Sequence, residues 1–534
     1  MRVGLLIIVV VLLAWGASLA GPFHFDDYSL LVDPLVTSAR GWWLVWQPIQ
    51  TRPLSQFTFW ISYMLSGATA WPYHLWNLAL HVASSVLVWR TLRRCGGASF
   101  SLRGALAPQG QILAERSGAE APRKLKLAPP ESLLPLSGQA ERAAMIAALV
   151  FAVHPMQAEV ANYVFARSSA LSTFLCLIVL WLWLRDRIWL ATAVFALALL
   201  AKEECVTFPL VLALLDWWRG RRRWKAVAAM LSLAFALGMR VLIATQYVAP
   251  GGGGFASRVT PVEYFTSQGV VILRYLRLLV APWGFTVDPE IHVVVPLAAW
   301  LVVALIVAIA WRLRRGPGVW ILSGLILLIP SSSIFPADDL AADRRMYLPM
   351  IAFAAAIGVM AVKGKPQLLA VVGLLLLGLS IQRTLVWNSE RTLWEEAVHY
   401  APDKVRPRIQ LARALGPGGG LEVLDAATVR FPGEFDIETE RGRMLLSAGR
   451  AAEALGAFGK ALAIQPSSAM AMNNRGVALA ALGQYEVAQA DFGRALNADP
   501  CFVEALQNLR RLGFAAPDGL QQCLHPTAGP QDRR

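Results

Sequence analysis

A chain of 534 residues that is 56% hydrophobic and 16% charged is too apolar to be soluble throughout, because soluble domains carry about a quarter charged residues. The formal charge of +14 does not mark a nucleic-acid binder: the basic residues form clusters between apolar blocks, not one stripe with interleaved aromatics, and no nucleic acid is expected as a partner. The five cysteines have no ligand spacing; Cys501 and Cys523 could pair on an oxidising side or stay as two thiols.

The first apolar stretch, 3–20, follows Arg2 and ends in Ser18-Leu19-Ala20. It reads as a cleavable signal or an uncleaved span; both leave the following loop outside, and the polytopic chain beyond favours a span. Further spans are expected near 73–92, 143–160, 168–184, 188–201, 204–218, 225–245, 291–311, 318–335, 346–362 and 367–385, about eleven in all. With the N-terminus inside, the tight basic clusters (Arg93 and Arg94, Arg185 and Arg187, Arg219 to Arg223, Arg312 to Arg315, Lys363 and Lys365) all fall on the cytoplasmic side. Two amphipathic stretches, 53–66 and 274–284, read as interfacial helices instead. The Gly-, Ala-, Pro- and Ser-rich segment 95–140 reads as a flexible cytoplasmic insertion.

An odd number of spans leaves everything after 386 outside, where the composition becomes that of a soluble helical domain. Pro432, Pro466 and Pro500 recur every 34 residues, and Gly442, Ala454, Phe458 and Ala461 recur as Gly476, Ala488, Phe492 and Ala495. That is the tetratricopeptide period, with a degenerate unit before it at about 394–432 and the start of a capping helix at 501–513. The fold class is therefore all-α: a polytopic transmembrane helical bundle (1–390) followed by a tetratricopeptide-repeat α-solenoid (391–534), whose groove suits a peptide or protein partner.

Ionisable residues beside spans are costly and point to sites. Here they gather on the expected outer side. Asp26 and Asp27 follow the first span, and one of them could take a proton from an attacking hydroxyl; a solvated loop or helix cap is the alternative. Arg52 opens the amphipathic stretch, and His74, Asn77 and His81 share one helix face. His154, Glu159, Asn162 and Arg167 lie near the third span's outer end, Lys202, Glu203 and Glu204 at the next outer turn, and Asp338, Asp339, Asp343, Arg344, Arg345 and Tyr347 at a third. Together they imply a shared polar cavity with no convincing metal spacing; no metal or other cofactor is expected.

The segments FDD (25–27), RPL (52–54), HLWNLALH (74–81), FAVHPMQAEV (151–160), AKEE (201–204) and DRRMYLP (343–349), in this order and followed by the repeats, resemble the transmembrane and tetratricopeptide-repeat O-mannosyltransferases, of the GT-C class. The resemblance implies a polyprenyl-phosphate sugar as donor, typically mannose, a Ser/Thr hydroxyl of an exported protein as acceptor, and an acidic pair at the reacting centre, here Asp26 and Asp27. The family's second His in the HPxH stretch is Gln157 here. With the leaving phosphate gaining charge, Arg344, Lys202, Arg167 and Arg52 are expected to bind it, and His154, Glu159, Glu203, Tyr347, His74 and Asn77 to line the cavity, Tyr347 along the prenyl path. The expected setting is a multi-pass protein of a bacterial inner membrane, in contact with membrane lipid, its site and repeats periplasmic. A membrane-anchored repeat scaffold without catalysis is the competing reading.

Overall fold

The computed structural model describes residues 2–48, 50–95, 138–248, 259–293, 295–332 and 339–514. Most of the expected insertion, together with Asp338 and Cys523, lies outside them; Cys501 is disulfide-bonded. The described residues are helical without strands and form two units, Met1–Ser389 and Glu390–Arg534.

In the first unit each expected span coincides with a helix or a broken pair of helices. Four are long and apolar enough to cross a membrane: Arg2–Ala20, Val164–Trp183, Trp224–Ala244 and Pro366–Trp387. Gly138–Val153 and Pro155–Asn162, bent by 50°, make a fifth if they count as one span. The bend falls at His154-Pro155, where proline has no N–H to continue the ladder. The other expected spans differ from a full crossing. Ile188–Ala201, Pro296–Arg312, Pro317–Ser331 and Pro349–Ala361 are apolar but shorter. Ala70–Cys95 is long enough but carries His74, Asn77, His81, Ser84 and Ser85, all buried against neighbouring helices. The chain is a multi-pass membrane protein.

Residues 274–280 of the segment 274–284 belong to a longer helix, Pro261–Val280, begun by a Thr260/Glu263 capping box. Its Tyr264, Val271, Tyr275 and Leu278 are buried, and Tyr275 and Leu278 share a core with Phe285, Leu328 and Met346. Pro53–Ser66 forms the other amphipathic helix.

Loops assigned to one side meet one another: 21–27 with 163–165, Arg52 with Glu203, and 339–344 with Glu159. Connections assigned to the opposite side do likewise, Arg142 with the Gly364 carbonyl and Arg223 with Asp186 at 3.1 Å. The alternation of ends required by the basic clusters is thus present in the packing.

The second unit stacks helix pairs: Glu390–Tyr400 with Val405–Arg430, Phe435–Ser447 with Ala451–Ile464, and Ala469–Ala481 with Tyr485–Ala498, closed by Val503–Arg511. The repeated Gly and Phe are partners. A Cβ on Gly442 would sit 2.5 Å from Phe458, and one on Gly476 would sit 2.7 Å from Phe492, so only glycine lets the paired helices approach over these rings. Ala454, Ala461, Ala488 and Ala495 are fully buried in the same contacts.

Candidate active site

The two neighbouring aspartates have unlike settings. Asp27 is fully buried; its Oδ2 accepts from the His24 N–H at 3.0 Å and its Oδ1 from the Phe165 N–H at 2.7 Å. Burial pushes its carboxyl up to about 7, although these backbone donors pull the other way. Asp27 therefore ties the first loop to the 164–165 turn. Asp26 is exposed, and its Oδ2 accepts from the Tyr163 hydroxyl at 2.9 Å. The residue before them, Phe25, has φ of 46°, strained for a side chain with a Cβ, and is held by ring contacts to Tyr163 and Trp387.

Tyr163 is buried. Burial first, then the charges of Asp27 and Asp26, raise its pKa, so the hydroxyl stays protonated and donates to Asp26. Asn77 fixes the turn that carries it, donating to Val160 O at 3.1 Å and Tyr163 O at 2.8 Å.

Three of the expected cations are held in ion pairs. Arg344 bonds Glu159 twice, through NH1 and through its backbone N–H at 2.7 Å, while its NH2 lies 3.7 Å from Asp339 Oδ2. Asp343, next to Arg344 in sequence, accepts from Arg274 at 2.7 Å. Burial works against the charge of Arg344, but Glu159 more than offsets it and its pKa rises. Arg52 forms a forked pair with Glu203; the pairing outweighs burial in both, raising Arg52 and holding Glu203 down at about 2. Lys202 is buried, donates to Ser169 Oγ at 2.7 Å and pairs with Glu204 at 2.8 Å; burial lowers its pKa, with Glu204 opposing. The charge of Arg344 is felt at Arg52, Lys202 and Tyr163, which places these groups in one neighbourhood.

Other expected site residues are held by the architecture. Arg167 is fully buried, over the Phe59 ring at 4.4 Å, and donates to Thr58 O, Ser62 Oγ, Tyr73 O and Asn77 Oδ1. Those bonds span its guanidinium and turn it away from any phosphate role. His74 reaches Pro22 O at 3.2 Å. His81 sits between the Tyr347 hydroxyl at 2.8 Å and Ala152 O at 3.0 Å, so Tyr347, fully buried, lines no open path. His154 accepts from the Met156 N–H and reaches Leu279 O, while Gln157, buried, donates to Phe151 O.

Trp387 stacks on Tyr163 with ring centres 6.1 Å apart and accepts from His24 through its carbonyl at 2.7 Å. It also lines a small recess of about 10 Å³ with Glu159, Phe285, Thr286, Asp343 and Arg383. Tyr163, Trp387 and Arg383 are not among the residues expected at the site, and Arg274 is expected only on the interfacial stretch 274–284. Arg383 had a signal, an ionisable residue within an apolar span. Tyr163 had none, because nothing in NYVFAR says which ring meets Asp26.

No family model matches the chain. It is 22% identical over 459 residues to a protein O-mannosyl-transferase of Caenorhabditis elegans, an alignment covering 78% of this chain and 60% of that protein. The chain thus spans less than two thirds of the curated relative it matches. Among solved structures it is similar to ArnT from Cupriavidus metallidurans bound to undecaprenyl phosphate (15% identity, 95% of this chain and 78% of that one, TM-score 0.34). A crystal structure of MamA is similar at 17% identity over 23% of this chain and 74% of that one, with a TM-score of 0.21. Over most of its length, then, the chain is similar in sequence to a protein O-mannosyl-transferase, the family that its ordered motifs resemble.

Proposed function

We propose that the protein is a membrane glycosyltransferase that moves a sugar, mannose by its likeness, from a polyprenyl-phosphate donor to a hydroxyl of Ser or Thr in an exported protein. The observation that carries this reading is the exposed Asp26 carboxylate, held by the Tyr163 hydroxyl, with Arg344 close enough for its charge to act on Tyr163, Arg52 and Lys202. The acceptor oxygen attacks the anomeric carbon while Asp26 takes its proton. The carbon–oxygen bond to phosphate breaks, and polyprenyl phosphate leaves with the electron pair. Its growing charge is met by fixed cations. Arg344 uses Nη1 for Glu159, and its Nε and Nη2 edge would meet two phosphate oxygens in competition with Asp339, 3.7 Å from Nη2. Arg52 and Lys202 add charge nearby; no metal or other cofactor enters the step. The site and repeats belong on the extracytoplasmic side, the periplasm if the membrane is a bacterial inner one, with the repeats gathering the acceptor.

The test is transfer by the purified full chain from polyprenyl-phosphate mannose to a Ser/Thr peptide, read by mass. Asp26→Asn should lower the rate by about 10², the size of a lost general base, with donor binding kept. Equal rates would overturn the assignment.

A further inference from the structure

Asp26 and Arg344 lie on different loops, yet both are gripped from one short turn. Ala158–Asn162 is a single helical turn that runs on into Tyr163, whose N–H donates to the Glu159 carbonyl at 3.0 Å. Residues four apart on such a turn are neighbours, and here each holds a different loop. Tyr163 gives its hydroxyl to Asp26 Oδ2 at 2.9 Å. That is the one hydrogen bond to the Asp26 carboxylate among the described residues, and Oδ1 has no donor there. Glu159 takes the Arg344 guanidinium on Oε1 and the Arg344 backbone N–H on Oε2 at 2.7 Å, so main chain and side chain are both fixed. The turn is itself clamped. All its residues are buried, Asn77 donates to Val160 O and Tyr163 O, and Asn162 donates to Ala158 O at 2.8 Å. The Tyr163 ring stacks on Trp387 and meets Phe25 at 5.6 Å.

We propose that Glu159 and Tyr163 are positioning residues, and that the turn 158–163 is a bracket holding Asp26 and Arg344 at the spacing the reaction needs. The proposal rests on the glycosyl-transfer reading above. In that displacement the attacking and leaving oxygens belong to one carbon, so the base and the phosphate-binding cation must keep a fixed separation. Tyr163, by occupying Oδ2, leaves Oδ1 as the oxygen that takes the acceptor's proton. A carboxylate that partly cancels the charge of Arg344 has no use in a purely electrostatic site. Its presence follows if the orientation of the planar fork matters more than its net charge.

The full chain in detergent, given polyprenyl-phosphate mannose and a Ser/Thr peptide, tests both arms through turnover and donor KM. Tyr163→Phe keeps the stacking ring and loses only the hydroxyl. It should lower turnover about tenfold, leave donor KM unchanged and cost nothing further in an Asp26→Asn background. Glu159→Gln keeps an acceptor for the Arg344 N–H and loses the ionic grip. It should raise donor KM about tenfold, lower turnover less than that, and add nothing to the loss in Arg344→Lys. The unchanged KM shows that Tyr163→Phe is folded, and turnover at saturating donor shows it for Glu159→Gln. Losses that add in full to those of the partner mutations would mean that both residues act on the fold at large, and the bracket falls. Tighter donor binding in Glu159→Gln would make Glu159 a competitor for Arg344, which overturns it too. A wild type that transfers nothing refutes the transfer reading, whereas an active wild type matched by both variants refutes the bracket alone.

Discussion

At the scale of single residues, identical side chains one position apart are separated by burial. Asp26 and Asp27 have the same chemistry, yet one is exposed beside a tyrosine hydroxyl and the other is inside, accepting two backbone N–H groups. Asp27→Asn should therefore act on stability, because an amide offers one acceptor where two donors converge, at a cost of about 1–3 kcal/mol. The raised pKa of Asp27 carries a sign. Between its ordinary 3.8 and about 7 the folded state keeps a proton that the unfolded chain releases. Its contribution is whole below 3.8 and is lost as pH rises through about 7. The melting temperature of the wild type should thus fall more between about pH 5 and pH 8 than that of Asp27→Asn; parallel curves would disprove the assignment. At Arg344, a lysine supplies charge without the fork, and it cannot hold Glu159 and a phosphate together. Arg344→Lys should lose most transfer, and transfer by the wild type should survive a strong chelator. Abolition by chelator with recovery on adding Mn²⁺ or Mg²⁺ would instead make Asp26 a metal ligand.

At the scale of elements, polar residues on membrane helices serve two ends. The His74, Asn77 and His81 face of Ala70–Cys95 is spent on holding neighbouring turns, among them the one that presents Tyr163. In the repeats, close approach is the governing fact. Gly476→Ala puts a methyl 2.7 Å from the Phe492 ring, an overpacking that should cost about 1–3 kcal/mol in denaturation of the second unit. Phe492→Leu, added to it, should recover part of that loss; purely additive losses would mean that the two positions are not in contact.

At the scale of the whole molecule, the basic clusters predict that a reporter fused after residue 390 is active only outside the cytoplasm. Activity inside would part the repeats from the proposed site. If the repeats gather the acceptor, deleting 430–534 should raise KM for a protein substrate more than it lowers turnover on a short peptide. Equal loss on both would make the repeats a stabilising element instead.

The sequence by itself determined the helical class, the positions of the apolar helices and the period of the repeats. Each follows from local composition: apolar length, basic flanks, and small residues returning every 34 positions. It also named Asp26, Arg52, Lys202, Glu159, Glu203 and Arg344, since charge beside a span is costly enough to be conspicuous. Only the tertiary structure decided how those charges are used. That Arg344 bonds Glu159, that Arg274 takes Asp343, and that Arg167 is sealed under Phe59 depend on which loops meet. The strongest example is Tyr163: it lies 137 positions from Asp26 along the chain, and a hydrogen bond across such a distance is set by packing, which spacing cannot encode.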